Sequence, residues 1–185
     1  MLVEYGFCRI TAGGGEWTFA PSLSRIAALG GPAEIVDFYA ELFDESLAVR
    51  AARYVLATLC EQEDATPLIG WLCADDGSEH AGLMPAGDMV IIARHLMRHG
   101  IVGNGKGGGR RVSEFHAGEF ISAARVHLGL SAADAESLSL TELQALFECK
   151  FPGQTAADVP SIEEYEAGMI AMQAIQKAAL EKRGV

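Results

Sequence analysis

Residues 31–60 read GPAEIVDFYAELFDESLAVRAARYVLATLC, and this stretch decides the fold. Pro32 follows a glycine, and proline is favoured at the first position of a helix because its missing N–H costs no hydrogen bond there. Apolar residues then recur at steps of three and four, the period of an amphipathic helix: Ile35, Phe38, Tyr39, Leu42, Val49, Ala52, Leu56 and Leu59. The pattern predicts one long helix from Pro32 to about Cys60, which can bend near Asp44, with Leu42 and Leu56 buried.

Upstream of this helix the sequence predicts a β-hairpin. Residues 2–10 have the character of a strand, and Trp17 and Phe19 alternate as the residues of a second strand do. Three glycines at 13–15 suit a loose turn between the two strands.

Downstream, the sequence predicts further helices. Residues 86–99 and 113–128 have helical periodicity, and the second segment begins at a candidate N-cap, Ser113. The apolar stretch LIGWLC at residues 68–73 is flanked by turn formers, which indicates a short hairpin or an irregular lobe. Capping boxes, in which Ser and Glu three positions apart satisfy each other's backbone N–H groups, stand at residues 139–142 and 161–164.

These elements predict a mainly α (α+β) protein with two parts. Residues 1–150 form a mainly helical globular domain, in which an N-terminal β-hairpin is followed by a compact bundle of about five to six helices. Residues 151–185 form a linker, FPGQTAADVP, and a C-terminal amphipathic helix.

The charge of the chain restricts its partners. The formal net charge is −11, with 14 Lys and Arg against 25 Asp and Glu. Nucleic acids and anionic membranes both attract clustered basic residues, so this acidity argues against either partner. The sequence has no recognisable signal peptide and no apolar run long enough to cross a bilayer. Four scattered cysteines without a C-x-x-C pair favour buried, reduced thiols, so we expect a cytosolic protein.

The glycine-rich stretch GIVGNGKGG at residues 100–108 raises the question of nucleotide binding. Residues 100–106 fit a phosphate-binding loop, but Gly107 stands where that motif has the Ser or Thr that holds Mg²⁺. Such a loop must leave a strand and enter a helix, whereas the residues before this one are predicted to be helical. We therefore interpret the stretch as a loop between helices. A small nucleotide-binding enzyme that uses residues 100–107 is the alternative from another functional class.

Other candidate sites for chemistry are weak. His95 and His99 stand four residues apart, as in the helix of a zinc protease, but Leu96 occupies the position of the required Glu and no third ligand is evident. Carboxylate pairs such as Asp75–Asp76 fall in turns, and no nucleophile is paired with a base. We therefore predict no catalytic residue, no cofactor site and no metal site, and a protein that is not an enzyme.

Two groups of residues are candidates for binding a protein partner. The first is a small basic spot on the glycine loop of an otherwise acidic chain, and the second is an apolar stripe at helical spacing near the C-terminus. Methionines make such a stripe adaptable to a partner that must later be released. The candidates are Lys106, Arg110 and Arg111 in the first group and Ile162, Tyr165, Met169 and Met172 in the second.

Three stretches of the chain resemble the tail assembly chaperones and related uncharacterised tail proteins of long-tailed bacteriophages. They are WTFAPSLSRIAALGGPAEIVDFYAELF at 17–43, IIARHLMRHGIVG at 91–103 and LGLSAADAESLSLTELQALFECKFP at 128–152. The likeness spans much of residues 17–152 and leaves out residues 161–185. It brings no catalytic residue with it.

The resemblance implies a non-catalytic role in tail morphogenesis, in the cytoplasm of the bacterial host. Such chaperones coat the long, apolar, helical tape-measure protein and help to recruit tail-tube subunits, so these two proteins are the expected partners. Homo-oligomerisation is left open. The alternative in the same setting is a structural tail or head–tail completion protein retained in the virion. A DNA-binding regulator that uses the short helices at 131–150 is disfavoured, since that segment carries a single Lys and several acidic residues.

Overall fold

The structure, a computed structural model, describes residues 3–73, 77–103 and 113–152. These residues form two antiparallel hairpins and a set of short α-helices. The strands are β1 (Cys8–Ala12), β2 (Gly15–Phe19), β3 (Trp71–Leu72) and β4 (Glu79–His80). The helices are α1 (Leu23–Ala27), α2 (Pro32–Glu41), α3 (Ala48–Leu59), α4 (Thr66–Ile69), α5 (Ala86–Met97), α6 (Ala117–Ala123), α7 (Ala132–Ser137) and α8 (Leu140–Lys150). The predicted mainly α (α+β) fold with an N-terminal hairpin is confirmed, and eight shorter helices take the place of five to six.

The N-terminal hairpin is joined to the helices through its second strand. β1 pairs with β2 in a register that runs from Cys8 opposite Phe19 to Ala12 opposite Gly15. The side chain of Phe19 is fully buried, and its backbone bridges to Cys60 directly after α3. The hairpin therefore extends from the end of α3 and covers one side of the core.

The stretch 31–60 forms two helices instead of the single long one, and Asp44 explains the break. Its carboxylate Oδ1 accepts hydrogen bonds from the backbone N–H (2.8 Å) and the hydroxyl (2.5 Å) of Ser46. A local side-chain acceptor of this kind competes with the helical backbone ladder and favours a turn. The carbonyl of Leu42, the residue that caps the end of α2, instead accepts two hydrogen bonds from the Arg94 guanidinium of α5, at 2.9 and 2.6 Å.

The core lies chiefly between α3 and α5, the most extensive helix–helix contact in the described part of the chain. Each helix contributes its apolar face, with Val55, Leu56 and Leu59 from α3 and Ala93, Leu96 and Met97 from α5. Leu42 and Leu56 are both fully buried, which confirms that prediction.

The C-terminal helices close the other side of the core. The hydroxyl of Ser139 accepts a hydrogen bond from the Glu142 N–H (3.1 Å) at the start of α8, as its capping box predicts, and the Ser139 backbone bridges to Ser22 before α1. The predicted cap at Ser113 is wrong, because α6 begins only at Ala117. Phe115 is buried in the irregular segment before α6, and its backbone N–H donates to the Pro32 carbonyl at 2.9 Å.

Within the described residues, every helix is too short or too polar to cross a membrane. The predicted linker, C-terminal helix and second capping box lie almost wholly beyond Pro152, outside the described residues.

Candidate partner-binding groove

An open groove of about 540 Å³ lies between α2, α3, α4 and β3. Its floor is the face of α3 that points away from the core, where Arg50, Arg53 and Ala57 recur at helical spacing. Because α3 carries its apolar core residues on the opposite face, one helix both supports the core and lines the groove.

Tyr54 and Phe38 form one wall. Their rings stack with centroids 4.7 Å apart and an interplanar angle of 22°. The Tyr54 hydroxyl donates to the carbonyl oxygen of Leu29 at 3.1 Å, so the ring is held by the turn after α1 as well as by α2. Tyr54 is nevertheless 44% exposed, which leaves a fixed aromatic surface available to a ligand.

Trp71 and Leu72 on β3 form the other wall, at 45% and 41% exposure. The indole of Trp71 stacks on the imidazole of its cross-strand partner His80, with centroids 3.9 Å apart and an interplanar angle of 8°. Gly70 precedes the strand with φ +72°, and a Cβ there would collide with the His80 carbonyl oxygen. Glycine at this position therefore lets the small hairpin lie close against α4.

Arg53 fastens this wall to the floor. Its side chain is buried, Nε donates to the Ile69 carbonyl oxygen at 3.0 Å, and the guanidinium forms an ion pair with Glu79 on β4. A buried guanidinium needs such partners, because an unpaired one would cost several kcal/mol of desolvation. Arg53 thus ties α3 to both the end of α4 and the small hairpin.

The two ends of the groove differ in charge. Arg50 lies near the beginning of α3, while Glu63 and Asp64 follow its end. The helix rises roughly 14 Å between Arg50 and Leu59. Hydrogen bonds from Thr66 hold the pKa of the Asp64 carboxyl below its usual value, which keeps this end anionic. The groove therefore runs from a basic end, past an aromatic middle, to an acidic end.

The structure does not describe the candidate partner-binding residues that the sequence predicts. Lys106, Arg110, Arg111, Ile162, Tyr165, Met169 and Met172 all lie outside the described residues. The predicted helix before the glycine loop is confirmed: α5 continues as a π-helical turn over Arg98–Val102 and ends at Gly103. A helix therefore precedes residues 103–107, at the place where a phosphate-binding loop would need a strand.

The histidine pair is placed at a junction of helices. The rings of His95 and His99 are 4.6 Å apart, and His99 Nδ1 lies 2.9 Å from the hydroxyl oxygen of Thr141 on α8. Among the described residues, no three His, Cys, Asp or Glu side chains are grouped so as to hold a metal ion. The contacts of the two histidines therefore join the end of α5 to the start of α8.

The four cysteines are all free thiols. Cys60 is buried as predicted, Cys8 and Cys73 are half-buried, and the prediction of burial is wrong for Cys149, which is exposed near the end of α8. Burial raises the pKa of the Cys8 thiol to about 11, so this thiol stays protonated and unreactive near neutral pH.

The residues that line the groove are not predicted by any pattern in the sequence. Tyr54 lies off the apolar stripe of α3, and Trp71 was part of a stretch for which a short hairpin was one of two predictions. That hairpin exists as β3–β4. The available signal was the second face of α3, where Arg50, Tyr54 and Ala57 keep helical spacing although they are not core residues.

The model of one protein family matches residues 45–167, about two thirds of the chain. It is described as a family of unknown function, DUF6246. The matched range begins at the corner between α2 and α3 and includes all the lining residues of the groove named above except Phe38. No curated protein and no solved structure matches the chain.

Proposed function

Because the chain belongs to this family, whose function is unknown, we propose its role from the groove. The protein is a non-catalytic tail assembly chaperone of a long-tailed bacteriophage, and it holds an apolar helical segment of the tape-measure protein between Tyr54 and Trp71. The observation that carries the proposal is this pair of exposed aromatic side chains, at 44% and 45%, from two different elements that line the same 540 Å³ groove.

The composition of the groove supports protein binding. Tyr, Trp and Arg dominate the binding energy of protein interfaces, because they offer large contact areas for few rotatable bonds. Here each aromatic ring is already fixed by a neighbour, Tyr54 by Phe38 and Trp71 by His80. Little side-chain entropy would be lost on binding, so a partner helix would gain most of the contact energy.

The acidic chain supports the chaperone role in a second way. Its net charge of −11 disperses a complex by repulsion, while the groove covers apolar surface of the client. In this proposal the protein acts in the cytoplasm of the bacterial host and also contacts tail-tube subunits. The alternative in the same setting, a completion protein that stays in the virion, predicts its presence in purified particles by mass spectrometry.

Co-expression with the tape-measure protein tests the proposal. We expect the wild-type chain to keep that protein soluble, and the Tyr54→Ala, Trp71→Ala double variant to lose this ability while remaining folded. Val126→Ala is the matched control, since Val126 is 67% exposed on the π-helical turn after α6, away from the groove. Equal solubilisation by the double variant and the control would show that the groove is not the binding site.

The neighbourhood of the gene is an independent check. The proposal expects a major tail gene upstream and a long tape-measure gene downstream. A gene set without tail components would overturn the phage assignment and leave only a protein-binding groove.

A further inference from the structure

We propose that residues 161–185 of the same chain occupy the groove when no partner is bound, and that the partner must displace them. The inference rests on the proposed function only for the identity of the competing partner. The occupancy itself rests on the charge order of the groove and on the sequence of the segment.

The order of charges matches between groove and segment. The groove is basic at Arg50 and acidic at Glu63 and Asp64, which lie beyond the end of α3; the helix rises roughly 14 Å between Arg50 and that end. The segment begins with Glu163, Glu164 and Glu166 and ends with Lys177, Lys182 and Arg183. Laid along the groove with its acidic start at Arg50, the segment brings opposite charges together at both ends. The reverse orientation brings like charges together, so one direction is selected.

The middle of the segment matches the middle of the groove. Tyr165, Met169 and Met172 stand at helical spacing on one stripe. Methionine side chains adapt to irregular aromatic surfaces, and sulfur–aromatic contacts are favourable. Seating this stripe between Tyr54 and Trp71 would remove from water the apolar surface that the two rings leave exposed.

The eight residues between the described chain and the segment can span much of the width of the domain. The described chain ends at Pro152, and residues 153–160 precede the segment. Eight extended residues span at most about 28 Å. A 150-residue domain has a radius of gyration of about 15 Å, and the length of the linker is comparable with twice that radius. Covalent attachment also gives the segment a millimolar-range effective concentration, so weak contacts suffice.

Fluorescence quenching of the full chain tests the occupancy without any partner. The chain has two tryptophans, and Trp17 is 8% exposed, so acrylamide reports mainly on Trp71; a Trp71→Phe variant measures the Trp17 background. We expect Met172→Asp to release the segment and to raise quenching by about twofold, because a tethered ligand is bound most of the time until its contacts are broken. Ala174→Asp, on the opposite face of the predicted helix, should leave quenching unchanged.

A charge exchange tests the orientation. Arg50→Glu should raise Trp71 quenching, and adding Glu163→Lys and Glu164→Lys to that variant should restore protection. Circular dichroism checks that each variant is folded. Unchanged quenching in Met172→Asp would overturn the proposal. Protection of Trp71 from acrylamide that disappears on dilution would also overturn it, because a second copy of the chain would then occupy the groove.

The outcome is separable from that of the proposed function. Met172→Asp can expose Trp71 while the Tyr54→Ala, Trp71→Ala variant still solubilises the tape-measure protein. In that case residues 161–185 do occupy the groove, and the groove is not the site that binds the tape-measure protein. If Trp71 is equally exposed in all variants, the self-occupancy fails whatever the tape-measure experiment gives.

Discussion

His99 and Thr141 exchange two polar contacts across the junction of α5 and α8. The Nδ1 atom of His99 lies 2.9 Å from the Thr141 hydroxyl oxygen, and that hydroxyl donates to the His99 carbonyl oxygen at 3.3 Å. The neighbouring His95 has a buried Nε2 that finds no hydrogen-bond partner within the described part of the chain. Burial lowers the pKa of both imidazoles, and Arg98 nearby lowers each pKa further. The junction therefore favours uncharged histidines.

Stability should consequently fall on acidification. The folded-state pKa values lie below the ordinary value of about 6.5, so the unfolded chain takes up protons first as the pH falls. The two neutral histidines stabilise the fold fully at pH values above the ordinary histidine pKa. This stabilisation is lost as the pH falls from the ordinary pKa toward the lower pKa values of the folded state. Urea denaturation across this range should show a smaller pH dependence for His95→Gln than for the wild type. Val126→Ala, an exposed substitution that removes no titratable group, should keep the wild-type dependence. Identical slopes for His95→Gln and the wild type would contradict the assignment.

Leu56→Ala should be strongly destabilising. The side chain is fully buried on the face of α3 that packs against the core, so truncation leaves a cavity as well as lost apolar contacts. The expected loss in the free energy of unfolding is about 2–5 kcal/mol. Val126→Ala, at an exposed position, should change it by less than about 0.5 kcal/mol. Chemical denaturation of both variants measures the difference, and a loss at Leu56 no larger than at Val126 would mean that this face of α3 is not core.

Arg53→Met should loosen the wall of the groove. The substitution keeps much of the buried volume but leaves the Ile69 carbonyl without its donor and Glu79 without its partner. We expect a loss of about 1–3 kcal/mol, mostly from the buried carbonyl, because Glu79 is half-exposed and its ion pair is screened. The Trp71 emission should shift to longer wavelength. Arg50→Met, on the exposed floor of the same helix, is the control for stability; a loss in it as large as in Arg53→Met would argue against the anchoring role.

The glycine loop should not bind nucleotides. α5 precedes it where a phosphate-binding loop needs a strand, and Gly107 replaces the magnesium ligand. Calorimetric titration with ATP or GTP and Mg²⁺ should give no heat of binding. Micromolar affinity that Lys106→Ala abolishes would instead support the enzyme alternative.

The parts of the fold that were predictable are those with local causes. Ser139 caps α8 because its hydroxyl accepts a hydrogen bond from the backbone N–H of Glu142, three residues later. That spacing is visible in the sequence. The corner between α2 and α3 was signalled by Asp44 and Ser46, although the strength of their competition with the helix was underestimated. The start of α6 was not predicted correctly because the backbone N–H of Phe115 donates to a distant carbonyl, that of Pro32, instead of taking part in a helix.

The groove had no comparable local cause. Phe38, Tyr54 and Trp71 come from three separate elements, and their meeting depends on how α2, the corner and the small hairpin pack against α3. Periodicity assigned one face of α3 to the core but gave no indication of what covers the other face. Such sites become visible only after the tertiary arrangement is known.

The Arg94–Leu42 contact also bears on the order in which the chain folds. The two residues are 52 positions apart, so the carbonyl that ends α2 lacks its two donors until α5 has been synthesised and has docked. During translation the corner between α2 and α3 therefore lacks its hydrogen bonds from Arg94 while the first half of the protein emerges. Contacts of this range delay closure relative to local helix formation. Pulsed hydrogen exchange during refolding should accordingly show the amides of α2 and α5 becoming protected together, instead of in the order of their synthesis.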